Sequence, residues 1–217
     1  MSLQELHFYI AMAGTVAFAS SAVLALADRK IDLFTGIVLG LVTAVGGGTI
    51  RDLILDEPVF WASEVSYLWV ALVTSVATFL ASGFFERRLL RRLFLYIDAF
   101  AVAMFAVEAT AKVWRLDFGL PIAPIILGVV TAIGGGLIRD VLVGRPTLLL
   151  SRDLYAIPVL IGCVVMALVL AFAPEYQVHG SIVCMIVTFG IRAAAIRWDL
   201  QVPEWATIGF KMKRAQS

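Results

Sequence analysis

The sequence has few charged residues and only two cysteines. Asp, Glu, Lys and Arg make up 15% of its 217 residues, and the formal net charge is +1. A soluble domain carries about 25% charged residues, so this composition excludes a soluble enzyme with a polar surface. No strongly basic balance indicates a nucleic-acid partner. Both cysteines, Cys163 and Cys184, lie in apolar runs, so neither a disulfide framework nor a metal cluster is predicted.

Motifs of common enzymes are also absent from the sequence. It contains no phosphate-binding loop, no zinc-protease motif and no nucleophile elbow. We therefore expect a protein that is not an enzyme and that needs no cofactor.

Long apolar runs dominate what remains. Hydrophobic residues make up 61% of the chain, and the mean hydropathy is +0.96. A bilayer core about 30 Å thick requires roughly 20 apolar residues per helix. The sequence therefore predicts an all-α integral membrane protein, a single transmembrane domain over 1–217. Its seven predicted transmembrane helices cover about 6–27, 31–50, 67–85, 93–113, 120–138, 154–173 and 179–198.

Basic residues cluster on one side of these spans. Since cytoplasmic loops are enriched in Lys and Arg, we expect a plasma (inner) membrane protein with its N-terminus outside and its C-terminus in the cytoplasm. Fourteen of the 17 basic residues fall on the predicted cytoplasmic side: Arg29, Lys30, Arg87, Arg88, Arg91, Arg92, Arg139, Arg145, Arg152, Arg192, Arg197, Lys211, Lys213 and Arg214.

The two halves of the chain repeat with a period of 88 residues. Residues 37–58 and 125–146 share 13 identities in 22 positions without a gap, including Thr, three consecutive Gly, Arg, Asp and Pro. The repeat predicts one three-helix unit over 6–85, a second over 93–173, and a seventh helix over 179–198. Because three is odd, the second unit enters the membrane from the opposite side, which is the inverted-repeat arrangement of many transport proteins.

Each copy of the repeat contains a glycine triplet. Glycine costs about 1 kcal/mol relative to alanine in a helix interior, so we expect the triplets to interrupt the second and fifth spans and to free backbone groups for an ion pathway. Close helix packing by small residues is the alternative explanation. The candidate pathway residues are Thr43, Gly46, Gly47, Gly48, Arg51, Asp98, Thr131, Gly134, Gly135, Gly136 and Arg139.

The triplets are followed by the same Ile-Arg-Asp sequence. We expect Arg51 and Arg139 to face a polar interior, because charged residues within spans tend to mark pathways. Extension of these side chains to the interface is the alternative. Asp52 and Asp140 are predicted to form supporting ion pairs with the arginines or to cap the next segment.

Two acidic residues lie in the fourth span. Asp98 is expected to face the interior and attract cations, and Glu108 is expected to extend to the outer interface. Thr43 and Thr131 precede the triplets by one turn. Two interpretations of these hydroxyls remain open. They line the pathway, or they donate a hydrogen bond to a carbonyl of their own helix.

The doubled motif resembles a known family. Two copies of Thr-Ala-(Val/Ile)-Gly-Gly-Gly-x-Ile-Arg-Asp, each followed by Pro58 or Pro146, and the Asp98-Ala pair of the fourth span are similar to the prokaryotic branch of the TRIC family, the trimeric intracellular cation channels. The resemblance covers nearly the whole chain. The Lys-Glu-Val signature of the eukaryotic branch does not occur in the sequence, so phosphoinositide control is not implied.

The resemblance implies a homotrimer in which each subunit encloses its own pore. The pore would be lined by the second and fifth spans, bent at the glycine triplets, and would passively conduct monovalent cations, chiefly K⁺, with conduction of Na⁺ left open. The partners implied are these cations, membrane lipids and the other subunits, with no nucleic acid.

A secondary transporter of small amino acids such as glycine is the alternative function. Some bacterial members of the family have been thought to move such substrates. Helix N-termini and two arginines suit a carboxylate better than a cation, and a cation pore with these arginines requires that acidic residues pair with them. A scaffold that transports nothing fits the composition but leaves the doubled motif unexplained.

Overall fold

A computed structural model describes residues 3–26, 29, 31–151 and 153–202, and this part of the chain is helical and forms no β-sheet. A single turn of 3₁₀ helix, Pro174–Tyr176, precedes the last helix. The α-helices are α1 (Leu3–Leu24), α2 (Leu33–Ile54), α3 (Phe60–Ser63), α4 (Ser66–Ser82), α5 (Arg87–Arg115), α6 (Ile122–Val143), α7 (Ala156–Phe172) and α8 (Gln177–Trp198).

Five of the described helices, α1, α2, α5, α6 and α8, are long and apolar enough to cross a membrane. Helices α4 and α7 are apolar and have 17 residues each. These seven helices lie where the sequence predicted spans, and α3 is a short addition within a connection. The prediction of an all-α membrane protein is confirmed, whereas the count of seven spans and the inverted repeat stay predictions.

Local signals set the ends of the two helices that carry the triplets. Helix α2 begins after Asp32, whose carboxylate accepts a hydrogen bond of 2.8 Å from the Thr35 amide. That bond lowers the pKa of the Asp32 carboxyl below its usual value, as expected for a residue that caps a helix N-terminus. Helix α6 ends at Val143 and is followed by Gly144, which has a φ of 65°. Glycine adopts this left-handed conformation without a steric cost.

The prediction that the glycine triplets interrupt their helices is wrong. Helix α2 runs from Leu33 to Ile54 through Gly46–Gly48, and α6 runs from Ile122 to Val143 through Gly134–Gly136. Arg51 lies in the last turn of α2, and Arg139 lies about one turn before the end of α6. The bend implied by the family resemblance stays a prediction.

Close contact between α2 and α6 explains why the triplets remain helical. A Cβ atom on Gly47 would collide with the carbonyl oxygen of Thr131, and a Cβ on Gly135 would collide with the carbonyl oxygen of Thr43. Gly134 would place its Cβ 3.3 Å from the Gly47 Cα. Small residues allow membrane helices to approach this closely. The contact is reciprocal, since Gly47 and Gly135, and likewise Thr43 and Thr131, are related by 88 residues.

Helix α5 lies at the centre of the structure, in contact with α1, α6, α7 and α8. Most of its residues from Asp98 to Val113 are buried, and Phe105 stacks on Phe18 of α1 with ring centroids 5.3 Å apart. This position places Asp98 and Glu108 of α5 beside the α2 and α6 helices.

Some basic residues that the sequence placed in connections between spans lie in helices instead. Arg87, Arg88, Arg91 and Arg92 belong to the first turns of α5, because arginine and leucine favour helix. Arg139 and Arg192 are buried within α6 and α8, and neither lies in a connection between helices. The predicted end of the first span at residue 27 lies outside the described residues. So do Lys30, Arg152, Lys211, Lys213 and Arg214.

Candidate functional site

The first charge cluster surrounds Arg51 at the C-terminal end of α2. The Arg51 Nε donates to Asp52 Oδ1 at 2.8 Å, and its Nη1 donates to Glu108 Oε2 on α5 at 2.9 Å. Lys112 Nζ, one turn further along α5, donates to the same Asp52 oxygen at 2.7 Å. We call Arg51, Asp52, Glu108 and Lys112 the first cluster.

The second charge cluster surrounds Arg139 at the corresponding position of α6. The Arg139 Nε donates to Asp140 Oδ1 at 2.9 Å, and its Nη1 donates to Asp98 Oδ1 at 2.6 Å. The same Nη1 lies 2.9 Å from the Ser21 hydroxyl of α1. We call Arg139, Asp140, Asp98 and Ser21 the second cluster. Its three charged side chains are at most 1% exposed.

The two clusters share their geometry as well as their sequence. In each, the Nε of an arginine bonds to the neighbouring aspartate, and the other aspartate oxygen accepts an amide N–H eight residues later. Asp52 Oδ2 accepts from Phe60 at 2.9 Å, and Asp140 Oδ2 accepts from Leu148 at 3.1 Å. Both aspartates thus hold an arginine and fix the segment that follows their helix.

Glu108 does not extend to the interface as expected. It is 9% exposed and bonds to Arg51, which is 3% exposed. A buried guanidinium requires a paired charge, so the carboxylate turns toward α2 instead of toward water. Lys112 joins the same cluster, although the sequence analysis gave it no role.

A pair of tyrosines was also missed. Tyr67 lines the cavity at the first cluster. Tyr155 borders the second cluster: a Cβ atom built on Gly136 would lie 3.0 Å from its hydroxyl oxygen. The two tyrosines are 88 residues apart. Extending the repeat alignment beyond Pro58 by nine residues would have found them.

The two threonines differ from each other. Thr131 donates its hydroxyl to the Leu127 carbonyl at 2.6 Å, which is the bond within its own helix that the sequence left open. The buried Thr43 hydroxyl has no hydrogen-bond partner among the described residues. It is therefore available to a water molecule or an ion at the α2–α6 crossing.

Two further polar atoms lack partners in the second cluster. Asp98 Oδ2 and Arg139 Nη2 are buried and form no hydrogen bond with any described residue. Buried polar groups are nearly always satisfied in native proteins. Both charges of this ion pair therefore retain capacity for a further ligand or water.

The first cluster opens into a cavity of about 550 Å³. Arg51, Glu108 and Lys112 line it together with His7 and Glu64. His7 is 6% exposed and is therefore a buried lining residue. The cavity carries both signs of charge. Among the described residues, no group of three or more His, Cys, Asp or Glu side chains could hold a metal ion.

These features define a helical membrane protein in which two similar charge clusters flank a tight helix crossing. A family model described as "Glycine transporter" matches residues 8–82 and 95–171. The chain belongs to this family, which is that of the prokaryotic TRIC-like proteins. The resemblance stated from the sequence is confirmed, and the family is not an enzymatic one.

Relatives of known name and structure agree with this assignment. The UPF0126 inner membrane protein YadS of Escherichia coli is 39% identical over 93% of this chain and 97% of that protein. The structure of the TRIC trimeric intracellular cation channel orthologue from Rhodobacter sphaeroides has a TM-score of 0.84 and 32% identity, over 89% of this chain and 98% of that one. A second structure, described as the basis for conductance through TRIC cation channels, has a TM-score of 0.78 and 28% identity, over 96% and 99% of the two chains. The chain is thus an integral inner membrane protein.

Proposed function

We propose that this protein is a passive channel for monovalent cations, chiefly K⁺ and also Na⁺, with a pore inside each subunit. The pore runs along α2 and α6, from the cavity at the first cluster, past the helix crossing, to the second cluster. The candidate residues on this path are the two triplets, Thr43 and the arginine clusters. The likeness to solved cation channels supports this function.

The observation that carries the proposal is the pairing of both arginines. Each has two carboxylate partners: Asp52 and Glu108 for Arg51, and Asp98 and Asp140 for Arg139. An arginine alone on the path would repel a cation. Two carboxylates beside each guanidinium offset that repulsion. In the first cluster Lys112 adds a second positive charge, so Asp52 and Glu108 balance the two basic groups there.

The buried second cluster is the proposed gate. Its charged groups are shielded from solvent, whereas the first cluster faces an open cavity. Conduction then requires separation of Asp98 from Arg139, so that a cation takes the place of the guanidinium beside the carboxylate. Asp98 Oδ2, which lacks a partner among the described residues, is the oxygen available to that cation.

The arrangement of the subunit is part of the proposal. The units 6–85 and 93–173 form an inverted repeat, with 179–198 as a seventh span, in a homotrimer surrounded by membrane lipids. The N-terminus lies outside and the C-terminus in the cytoplasm, as the distribution of basic residues indicates.

Transport of small amino acids such as glycine is the second candidate. The cavity at the first cluster carries Lys112 and Arg115 as well as Glu64 and Glu108, so it offers groups for both the carboxylate and the ammonium of a zwitterion. The description of the family model supports the same substrate.

Flux measurements separate the two functions. Proteoliposomes containing the purified protein are loaded with K⁺, and K⁺ efflux is measured. Valinomycin, added at the end, releases the remaining K⁺ and so gives the total. Voltage-driven K⁺ flux in the absence of amino acids supports the channel. Saturable counterflow of labelled glycine without K⁺ conductance would refute it and support the transporter.

Thr43→Val is expected to lower K⁺ flux about three- to tenfold. Valine keeps the shape of threonine but removes the hydroxyl oxygen that could coordinate the cation and that has no described partner. Loss of one such polar contact costs about 1 kcal/mol, or roughly fivefold in rate. The matched control is Thr131→Val, because that hydroxyl is already used by Leu127. Equal flux in the two variants would remove Thr43 from the path.

A further inference from the structure

A second cavity, of about 320 Å³, lies between the end of α1, the start of α5 and the end of α6. Four arginines line it: Arg29, Arg87, Arg91 and Arg145. No acidic residue is among the described residues that line the cavity. This differs from the cavity at the first cluster, where both signs of charge occur.

The charge in this cavity is largely uncompensated. In the described chain, no carboxylate lies within ion-pair distance of Arg29, Arg87 or Arg91, and Asp140 lies 4.0 Å from the Arg145 Nε. Burial lowers the pKa of the Arg145 guanidinium, Arg139 and Arg91 act in the same direction, and Asp140 and Asp98 partly oppose them. Four guanidinium groups around one cavity repel one another, and an anion between them would remove that repulsion.

Helix α5 increases the positive potential here. It begins at Arg87 and has no acidic residue in its first turn, and its preceding residue Glu86 provides no side-chain cap. Helix N-termini favour negative charge, so arginines at this position are unfavourable unless an anion accompanies them. Phe94 lines the cavity, and the Arg145 Cζ lies 4.5 Å from the centroid of its ring.

We propose that this cavity, which we call the arginine cavity, binds a phosphate-type anion, either free phosphate or the headgroup of an anionic phospholipid. Guanidinium groups bind phosphate through two parallel hydrogen bonds. The arginines come from three separate parts of the chain, the α1–α2 connection, α5 and the α6–α7 connection, so they surround the space from several sides. Basic pockets between membrane helices on the cytoplasmic side are suited to such headgroups.

Direct binding tests the site without any cation flux, so the result does not depend on the proposed function. Detergent-purified protein is dialysed against ³²P-labelled phosphate. In parallel, native mass spectrometry measures retention of phosphatidylglycerol against phosphatidylcholine. Binding of phosphate alone identifies the free anion as the ligand, and preferential retention of phosphatidylglycerol identifies the lipid headgroup.

The double variant Arg87→Gln/Arg91→Gln is expected to weaken binding at least about tenfold, since two charge-assisted contacts are lost. The matched control is Arg88→Gln/Arg92→Gln, which removes the same charge from the same exposed turns of α5 but does not line the cavity. Its binding should change by less than about twofold. Equal loss in both variants, or failure of both probes to bind the unaltered protein, overturns the proposal.

Discussion

Asp98→Asn is expected to destabilise the protein by about 3 kcal/mol, the lower end of the range for breaking a buried ion pair. The change removes one of the two carboxylates that pair with the buried Arg139, and only Asp140 remains. For a chain of this length, such a loss lowers the melting temperature by about 6–12 °C. Thermal unfolding in detergent, followed by tryptophan fluorescence, measures it.

Asp117→Asn is the matched control for this substitution. It removes the same charge from an exposed residue just after α5, and asparagine tolerates the φ of 50° that Asp117 adopts. Its melting temperature should be unchanged within about 2 °C. Adding Arg139→Gln to Asp98→Asn should restore part of the loss, because contacting groups are coupled by about 0.5–3 kcal/mol. Equal melting temperatures for Asp98→Asn and Asp117→Asn would show that this ion pair does not stabilise the fold.

The length of the apolar runs and the repeat were enough to predict the class of the fold. The described helices fall on the predicted spans because burial in lipid requires long apolar runs. The repeat also identified Arg51 and Arg139 together with Asp52 and Asp140, and the structure places these residues in clusters of the same geometry. Both aspartates bond to an arginine and to an amide of the next segment, the two alternatives that the sequence offered.

The partners of these arginines on α5 could not be found in the same way. Asp98 aligns with Ile10 in the repeat, and Glu108 aligns with Ser20. The acidic residues therefore break the symmetry, and no periodic signal links them to Arg139 and Arg51. Their position in the fourth span indicated depth in the membrane. Their pairing depends on how α5 packs against α6 and on which of its side chains reach α2.

The error on the glycine triplets has a different cause. Helix propensity is a local property, and three glycines do weaken an isolated helix. Packing against a second helix overrides that weakness, because the close approach of Gly47 and Gly135 brings the α2 and α6 backbones into contact. The sequence contained both explanations but no information on which residues of the other span lay opposite.

Gly47→Ala and Gly135→Ala are each expected to lower the melting temperature by about 2–12 °C. The added methyl group meets a backbone carbonyl of the opposite helix, Thr131 for Gly47 and Thr43 for Gly135, and backbone cannot rotate away as a side chain can. Overpacking of this kind costs about 1–3 kcal/mol, which corresponds to that range of temperature. The effect should be similar at both positions because the contact is reciprocal, and thermal unfolding in detergent measures it.

Gly190→Ala on α8 is the control that separates packing from helix propensity. A Cβ at Gly190 has no described atom within 4 Å, so alanine there should leave the melting temperature unchanged or raise it slightly. If the triplets mainly weaken their helices, alanine at positions 47 and 135 should stabilise the protein as it does at position 190. A decrease at the two crossing positions and none at Gly190 would show that the triplets act through the contact between α2 and α6.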